Sequence, residues 1–234
     1  MNSSIVKNCL KVIFTNNLDE VNSYLYSSSC IELGECTPVY AYMLEGCRLF
    51  DLDTIPRIYV VRSYFYDVTC MGMDQPIICI PHQLVERNDE DILRGRVIAA
   101  VAGIKAGHHR LSFISWIYDN FSSLLPIPLL DTALRAIKNE WFRAQFFTKD
   151  RAFYLATQDR ALTLKNVLYG ETSFEVLENF SFGANDTFAK QTAEFEQHDT
   201  AAEFVSFLSS YLQEESWLPE RYSQVKEYME DVYA

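Results

Sequence analysis

Chemistry needs titratable or nucleophilic side chains within reach of one another, and in this chain they are few. Its 234 residues include only 4 histidines and 6 cysteines. His108 and His109 are adjacent, so on an α-helix they point about 100° apart and are poorly placed to chelate one ion together. With His82 and Asp150 they are the residues from which a metal site outside any standard motif can be assembled. The simpler expectation is that a helix C-terminus holds them as cations. Cys9, Cys30, Cys36, Cys47, Cys70 and Cys79 contain no Cys-x-x-Cys and match no zinc-knuckle spacing. Cys70 has no base near it in sequence, and Cys79 has only His82, beyond Pro81, so neither is expected to be a reactive thiolate. No glycine-rich phosphate loop, serine nucleophile elbow or kinase-like motif is present.

Bulk composition narrows the function classes. A formal charge of −12 disfavours nucleic acid and anionic membrane surfaces, which reward clustered Lys and Arg. At 49% hydrophobic and 22% charged residues, the chain has enough apolar material for a real core. The opening 17 residues lack a continuous apolar run and a small-residue cleavage site, so reduced, mostly buried thiols in a cytoplasmic setting are expected. The most apolar stretch, Leu111 to Leu130, is interrupted by Asp119, Asn120, Pro126 and Pro128, which predicts no membrane span.

The elements that must position any site are largely helical. Residues 4–14 and 18–28 read as short helices, and Pro38 opens another that runs to Leu49. Arg57 to Arg62 and Pro76 to Ile80 read as strands, rich in β-branched residues and bounded by Pro56 and Pro81. Asn88, Asp89, Glu90 and Asp91 supply a cap and an acidic first turn to the helix that follows. Further helices are expected over 111–123, 131–147, 149–158, 160–169, 173–179, 186–212 and 219–232, with a turn at Pro126 and Pro128. With no repeat or linker, the simplest reading is one domain over 1–234, α+β but mostly α, with a small sheet early in the chain. Residues 1–34 form a helical extension on a core of about 35–232.

The helix over 94–109 has one nearly bare face, formed by Ala99, Ala100, Gly103 and Gly107. Glycine inside a helix costs about 1 kcal/mol relative to Ala, so Gly103 requires a reason. In a His-Glu-x-x-His helix the same spacing carries two zinc ligands and the glutamate that acts on the bound water.

Four segments in order, followed by a tail, resemble the HtpX-like and CAAX-prenyl-protease-like zinc metallopeptidases. Pro56-Arg-Ile-Tyr-Val-Val-Arg-Ser is similar to the family's first strand, and Asp67 to Glu86 to its Asn-Ala-Phe-Ala-x-Gly segment. Ala99-Ala-Val-Ala-Gly-Ile-Lys-Ala-Gly-His108 lies over His-Glu-x-x-His-Ile-x-x-Gly-His. Arg143-Ala-Gln-Phe-Phe-Thr-Lys-Asp150 lies over Arg-x-x-Glu-x-x-x-Asp, and Pro219 to Tyr228 is similar to the closing Pro-x-x-x-Arg region.

The resemblance implies a zincin-like metallopeptidase domain in which the chemistry has been erased. Ala99 stands for the first ligand His, Ala100 for the general-base Glu, Gly103 for the second ligand His and Phe146 for the third ligand. Ala, Gly and Phe offer no donor, so the implied protein has no zinc, no cofactor and no peptidase activity by the family's mechanism. Phe146 is expected to fill the vacated space opposite Gly103, because native cores rarely keep large voids. Asp150 and Arg151 match a pair that orients a metal-bound His. With that His absent, Asp150 is expected to form a core ion pair with Arg151 or Arg143. The segment from Asp67 through Cys70, Gly72 and Met73 to Asp74 matches the family's substrate-edge strand, where an extended peptide adds to the sheet. Tyr64, Phe65 and Tyr66, just before it, line a groove or belong to the core. The expected function is therefore non-catalytic binding of a peptide or partner protein in the former substrate cleft. The alternative is new chemistry or a relocated metal among His108, His109, Asp150 and nearby acids.

Overall fold

The computed structural model describes residues 30–62, 67–87, 89–110, 112, 128–171 and 218–232. The helices expected over 4–14, 18–28, 173–179 and 186–212, nearly all of that over 111–123, and Tyr64, Phe65 and Tyr66 lie outside the described residues. The described chain is mostly helical with a small mixed sheet near its start.

Strands β1 (Cys30–Glu32), β2 (Arg57–Val61), β3 (Thr69–Met71) and β4 (Ile77–Pro81) form one sheet in the order β1-β2-β4-β3. β2 pairs parallel with β4, while β1 and β3 pair antiparallel on the two outer sides. The short outer strands β1 and β3 carry no clear two-residue alternation, and pairing with β2 and β4 is what defines them. Gly72, between β3 and β4, has φ +109, and a Cβ there would lie 2.5 Å from the Gln75 carbonyl oxygen. Only glycine accepts that tight turn without strain.

Helix α1 (Pro38–Leu49) starts as expected, with Thr37 as its cap and proline at its first position. A short α2 (His82–Glu86) follows β4. The helix with the bare face is α3 (Glu90–Lys105), capped by Asp89, whose side chain accepts from the Ile92 amide. It stops earlier than its apolar pattern suggested, because Gly107 takes φ +81 and turns the chain. His108 and His109 therefore lie beyond the regular helix. The stretches expected over 131–147 and 149–158 are one helix, α4 (Pro128–Thr157), with Pro128 inside its first turn rather than in a separate turn. Helices α5 (Arg160–Glu171) and α6 (Leu218–Asp231) complete the described chain. No described helix is long and apolar enough to cross a membrane.

The main core lies between the sheet and α1 and α3. There Ile58, Ile78, Ile80, Met43, Val97, Val101 and Ala100 are fully or almost fully buried. Each of the larger side chains among them contributes roughly 1.5–3 kcal/mol of burial free energy. A second cluster, with Ile92, Ala99, Ala102, Ala152 and Phe153, joins the opposite side of α3 to α4. α3 is thus apolar nearly all round because it is packed nearly all round.

Candidate functional site

The bare face of α3 divides between different surroundings. Ala100 points into the sheet-side core, whereas Ala99 points towards α4. Gly103 lies beside the outer strand, where an added Cβ would meet Cys70 Sγ at 3.4 Å and His108 at 3.9 Å, both ordinary contacts. The position that cannot accept a side chain is Gly95, two turns earlier. A Cβ there would sit 2.4 Å from the ring of Phe153, which is fully buried. The reason sought for Gly103 applies to Gly95.

A small cavity of about 30 Å³ remains beside Ala99, enough for a water or a small group and too little for a buried side chain. It is lined by Asp67 ahead of β3, Arg96 and Ala99 of α3, Phe146, Lys149, Asp150 and Phe153 of α4, Asn166 of α5 and Arg221 of α6. Phe146 therefore borders the space next to Ala99 rather than plugging the space at Gly103. The Arg221 guanidinium lies 4.5 Å from the Phe146 ring centroid, so a cation rests against the aromatic face.

Around this cavity the charged groups pair across elements. Arg221 donates from Nε to Asp150 Oδ2 at 2.9 Å and from Nη2 to Asp150 Oδ1 at 2.8 Å, a two-pronged bridge between α6 and α4. The partner of Asp150 is thus Arg221, not Arg151 or Arg143. Arg151 is exposed, bonds Gln224 and lies over Tyr228. Arg143 is buried one turn before Phe146. The Arg96 Nε donates to Asn166 Oδ1 at 2.7 Å, and its Nη1 lies 3.8 Å from Asp67. Lys149 Nζ donates to Asp67 Oδ2 and to the Val68 carbonyl, each at 2.9 Å. Burial pushes the Asp67 carboxyl up, but Lys149 and Arg96 outweigh it and hold the pKa at about 2.

The remaining candidates sit nearby in other roles. Burial pushes the Cys70 thiol up to about 11, which makes it a protonated core side chain at neutral pH. The described cysteines are all free thiols, with Cys47, Cys70 and Cys79 buried and Cys36 exposed. His108 Nε2 lies 3.1 Å from Thr148 Oγ1, and the ring meets Trp141 edge-on. Burial, with Lys149 and His109 nearby, lowers the His108 pKa, and burial with Arg110 lowers that of His109. The expectation of cationic histidines at the helix end is corrected: beyond the Gly107 turn, desolvation outweighs any attraction of the helix terminus. The Met73 carbonyl accepts from Arg110 Nε at 3.2 Å.

Chemically, the cavity offers charge and hydrogen-bond donors. An Asp held near pKa 2 is a weak base, and no imidazole is among the described residues that line the space. A zinc ion does not fit the side chains at positions 99, 100, 103 and 146, which have no donor atoms. The cations Arg96, Lys149 and Arg221 would repel it as well. Among the described residues, no group of three His, Cys, Asp or Glu side chains is arranged to hold a metal.

The sequence reading did not single out Arg96, Lys149, Asn166, Phe153 or Arg221. One signal was visible: Arg96 is a charge inside an otherwise apolar helical run, and a buried charge demands partners. Comparison of the chain with protein-family models, with curated proteins and with solved structures finds no match.

Proposed function

We propose that this chain is a zincin-like, catalytically silent protein that holds an extended peptide segment of a partner protein in a former substrate cleft. The observation that carries this reading is the place of β3. It is an outer strand of the sheet, and it lies against α3 beside Gly103, one of the positions where the resembled family carries zinc ligands. An outer strand offers unpaired N–H and C=O groups to a guest strand and needs no reactive residue to do so. The Val68 carbonyl is taken by Lys149 and the Met73 carbonyl by Arg110, so side chains bracket the stretch between them.

The test is selection of binders from a random-peptide library on the purified protein, followed by N-methylation of alternate amides in a selected peptide. Binding without cleavage, lost on N-methylation, supports the reading, because methylation removes the ladder donors. Cleavage of the peptide by protein carrying stoichiometric zinc, or failure to select any binder, overturns it.

A further inference from the structure

We infer that the turn over 107–110 is an acid-operated catch: protons taken up by His108 and His109 release the segment from Asp67 to Met73 while α3 and the strand β4 stay folded. The turn is tied to both ends of that segment. At its start, Lys149 of α4 donates to Asp67 and to the Val68 carbonyl. Thr148, the residue before Lys149, lies 3.1 Å from His108 Nε2. At its end, Arg110 Nε donates to the Met73 carbonyl. Between them, Cys70 Sγ and the His108 ring flank the same point beside Gly103.

The hydrogen-bond chain fixes where the protons are. Thr148 Oγ1 donates to the Ala144 carbonyl at 2.9 Å, so His108 Nε2 is the donor in its pair with Thr148. The Nδ1 of His108 is then a bare lone pair. It is buried without a hydrogen-bond partner, as is the Nδ1 of His109. A proton added to His108 Nδ1 becomes a donor with no acceptor, in a residue only 6% exposed. The charges around the two rings have the same sign as the incoming proton. Lys149 from α4 acts on His108 and Arg110 on His109, and a charge on either ring repels one on the other. No carboxylate of a described residue acts on either ring, and Asp67 is bound to Lys149. Thr148, Gln145 and Trp141 of α4 are uncharged neighbours, and Cys70 of β3 is a neutral thiol. Only the backbone of Met73 and of Ile104 favours the His109 cation, and burial with Arg110 outweighs it. The closed turn therefore resists protonation, and the open turn gains as pH falls below about 6.5, the value of a free imidazole.

The opening is local because the turn is held more loosely than its surroundings. Gln145 Nε2 reaches the His108 carbonyl at 3.5 Å and Ser112 Oγ at 3.3 Å, both long. Gly107 has φ +81, and no described atom lies within 4 Å of where its Cβ would be, so a hinge stands at the start of the turn with room beside it. From Ile92 to Ile104, α3 is buried at every position except Arg94.

The experiment is hydrogen exchange read by mass spectrometry on the whole chain from pH 7.5 to 5, corrected for the intrinsic pH dependence of exchange. Protection over 68–73 and 107–110 should fall at least about tenfold between pH 7 and 5, because one histidine linked to opening gives about tenfold per pH unit between its free and closed values. Protection over 77–81 and 97–104 should hold. The double variant His108→Gln/His109→Gln keeps a donor for Thr148 but cannot titrate, so it should lose this pH dependence. A parallel loss over 97–104 would mean general acid unfolding and overturn the catch. Unchanged protection over 68–73, or the same pH dependence in the double variant, would overturn it as well. If the variant is already open at pH 7, nuclear magnetic resonance titration of the four imidazoles in the unaltered protein decides. Two midpoints below 6.5 that track the loss of protection support the catch, and their absence refutes it.

Discussion

Two glycines on one helix should respond differently to the same substitution. Gly→Ala within a helix is worth about 1 kcal/mol in favour of Ala, through lower backbone entropy of the unfolded chain and better propensity. At Gly103 the new methyl group meets Cys70 Sγ at 3.4 Å, an ordinary contact, so that gain should be kept. At Gly95 it would lie 2.4, 2.7 and 2.8 Å from Cε2, Cδ2 and Cζ of Phe153. The Phe153 ring is wholly buried and touches the cavity wall, so it must shift within a packed cluster. Overpacking of this kind costs roughly 1–3 kcal/mol. The two variants should therefore differ by about 1–3 kcal/mol, the range of the overpacking cost itself. For a chain of this size, Gly103→Ala should raise Tm by roughly 2–4 °C, with Gly95→Ala lying below it by several degrees. Thermal melts with urea titrations as a second measure read this directly. Adding Phe153→Leu removes the outer ring atoms, so in the Gly95→Ala background it should cost about 1–2 kcal/mol less than it does alone. The steric reasoning is refuted if Gly95→Ala stabilises as much as Gly103→Ala, or if the two substitutions at 95 and 153 are additive.

Three further outcomes are expected. Asp150→Asn, which leaves the buried Arg221 without its carboxylate, should destabilise by about 3–5 kcal/mol in urea titrations, and a cost near zero would remove this ion pair from the core. Acid should act in two stages on unfolding free energy measured against pH. The lowered pKa values of His108 and His109 contribute stability that is complete above their unfolded value of about 6.5 and is lost as pH falls from there through the folded values. The Asp67 contribution, about 1–2 kcal/mol after discounting for a side chain 32% exposed, is present above pH about 3.8 and is lost towards pH 2. A stability curve flat between pH 7 and 5 would contradict the first stage. Finally, mass-spectrometric mapping of iodoacetamide labelling should find Cys36 modified well before Cys47, Cys70 and Cys79, and early labelling at Cys70 would show an accessible thiolate there.

Local signals were legible wherever one element decided the outcome. Pro38 marked the start of α1, Asp89 the cap of α3, and the β-branched run at 57–61 the strand β2, because caps, φ restriction and strand preference act over a few residues. The missing donors at Ala99, Ala100, Gly103 and Phe146 are likewise a matter of residue type alone. Arg96 stands in the sequence as a charge inside the apolar run of α3, and the structure buries it. Only tertiary structure decided which partners meet that charge. Arg96 reaches Asn166 across 70 residues, Asp150 reaches Arg221 across 71 and Lys149 reaches Asp67 across 82. Periodicity carries no information over such separations, because side-chain spacing specifies which face a residue occupies and not what is packed against that face. The same limit assigned the glycine constraint to residue 103, whereas the packing of Phe153 places it at residue 95.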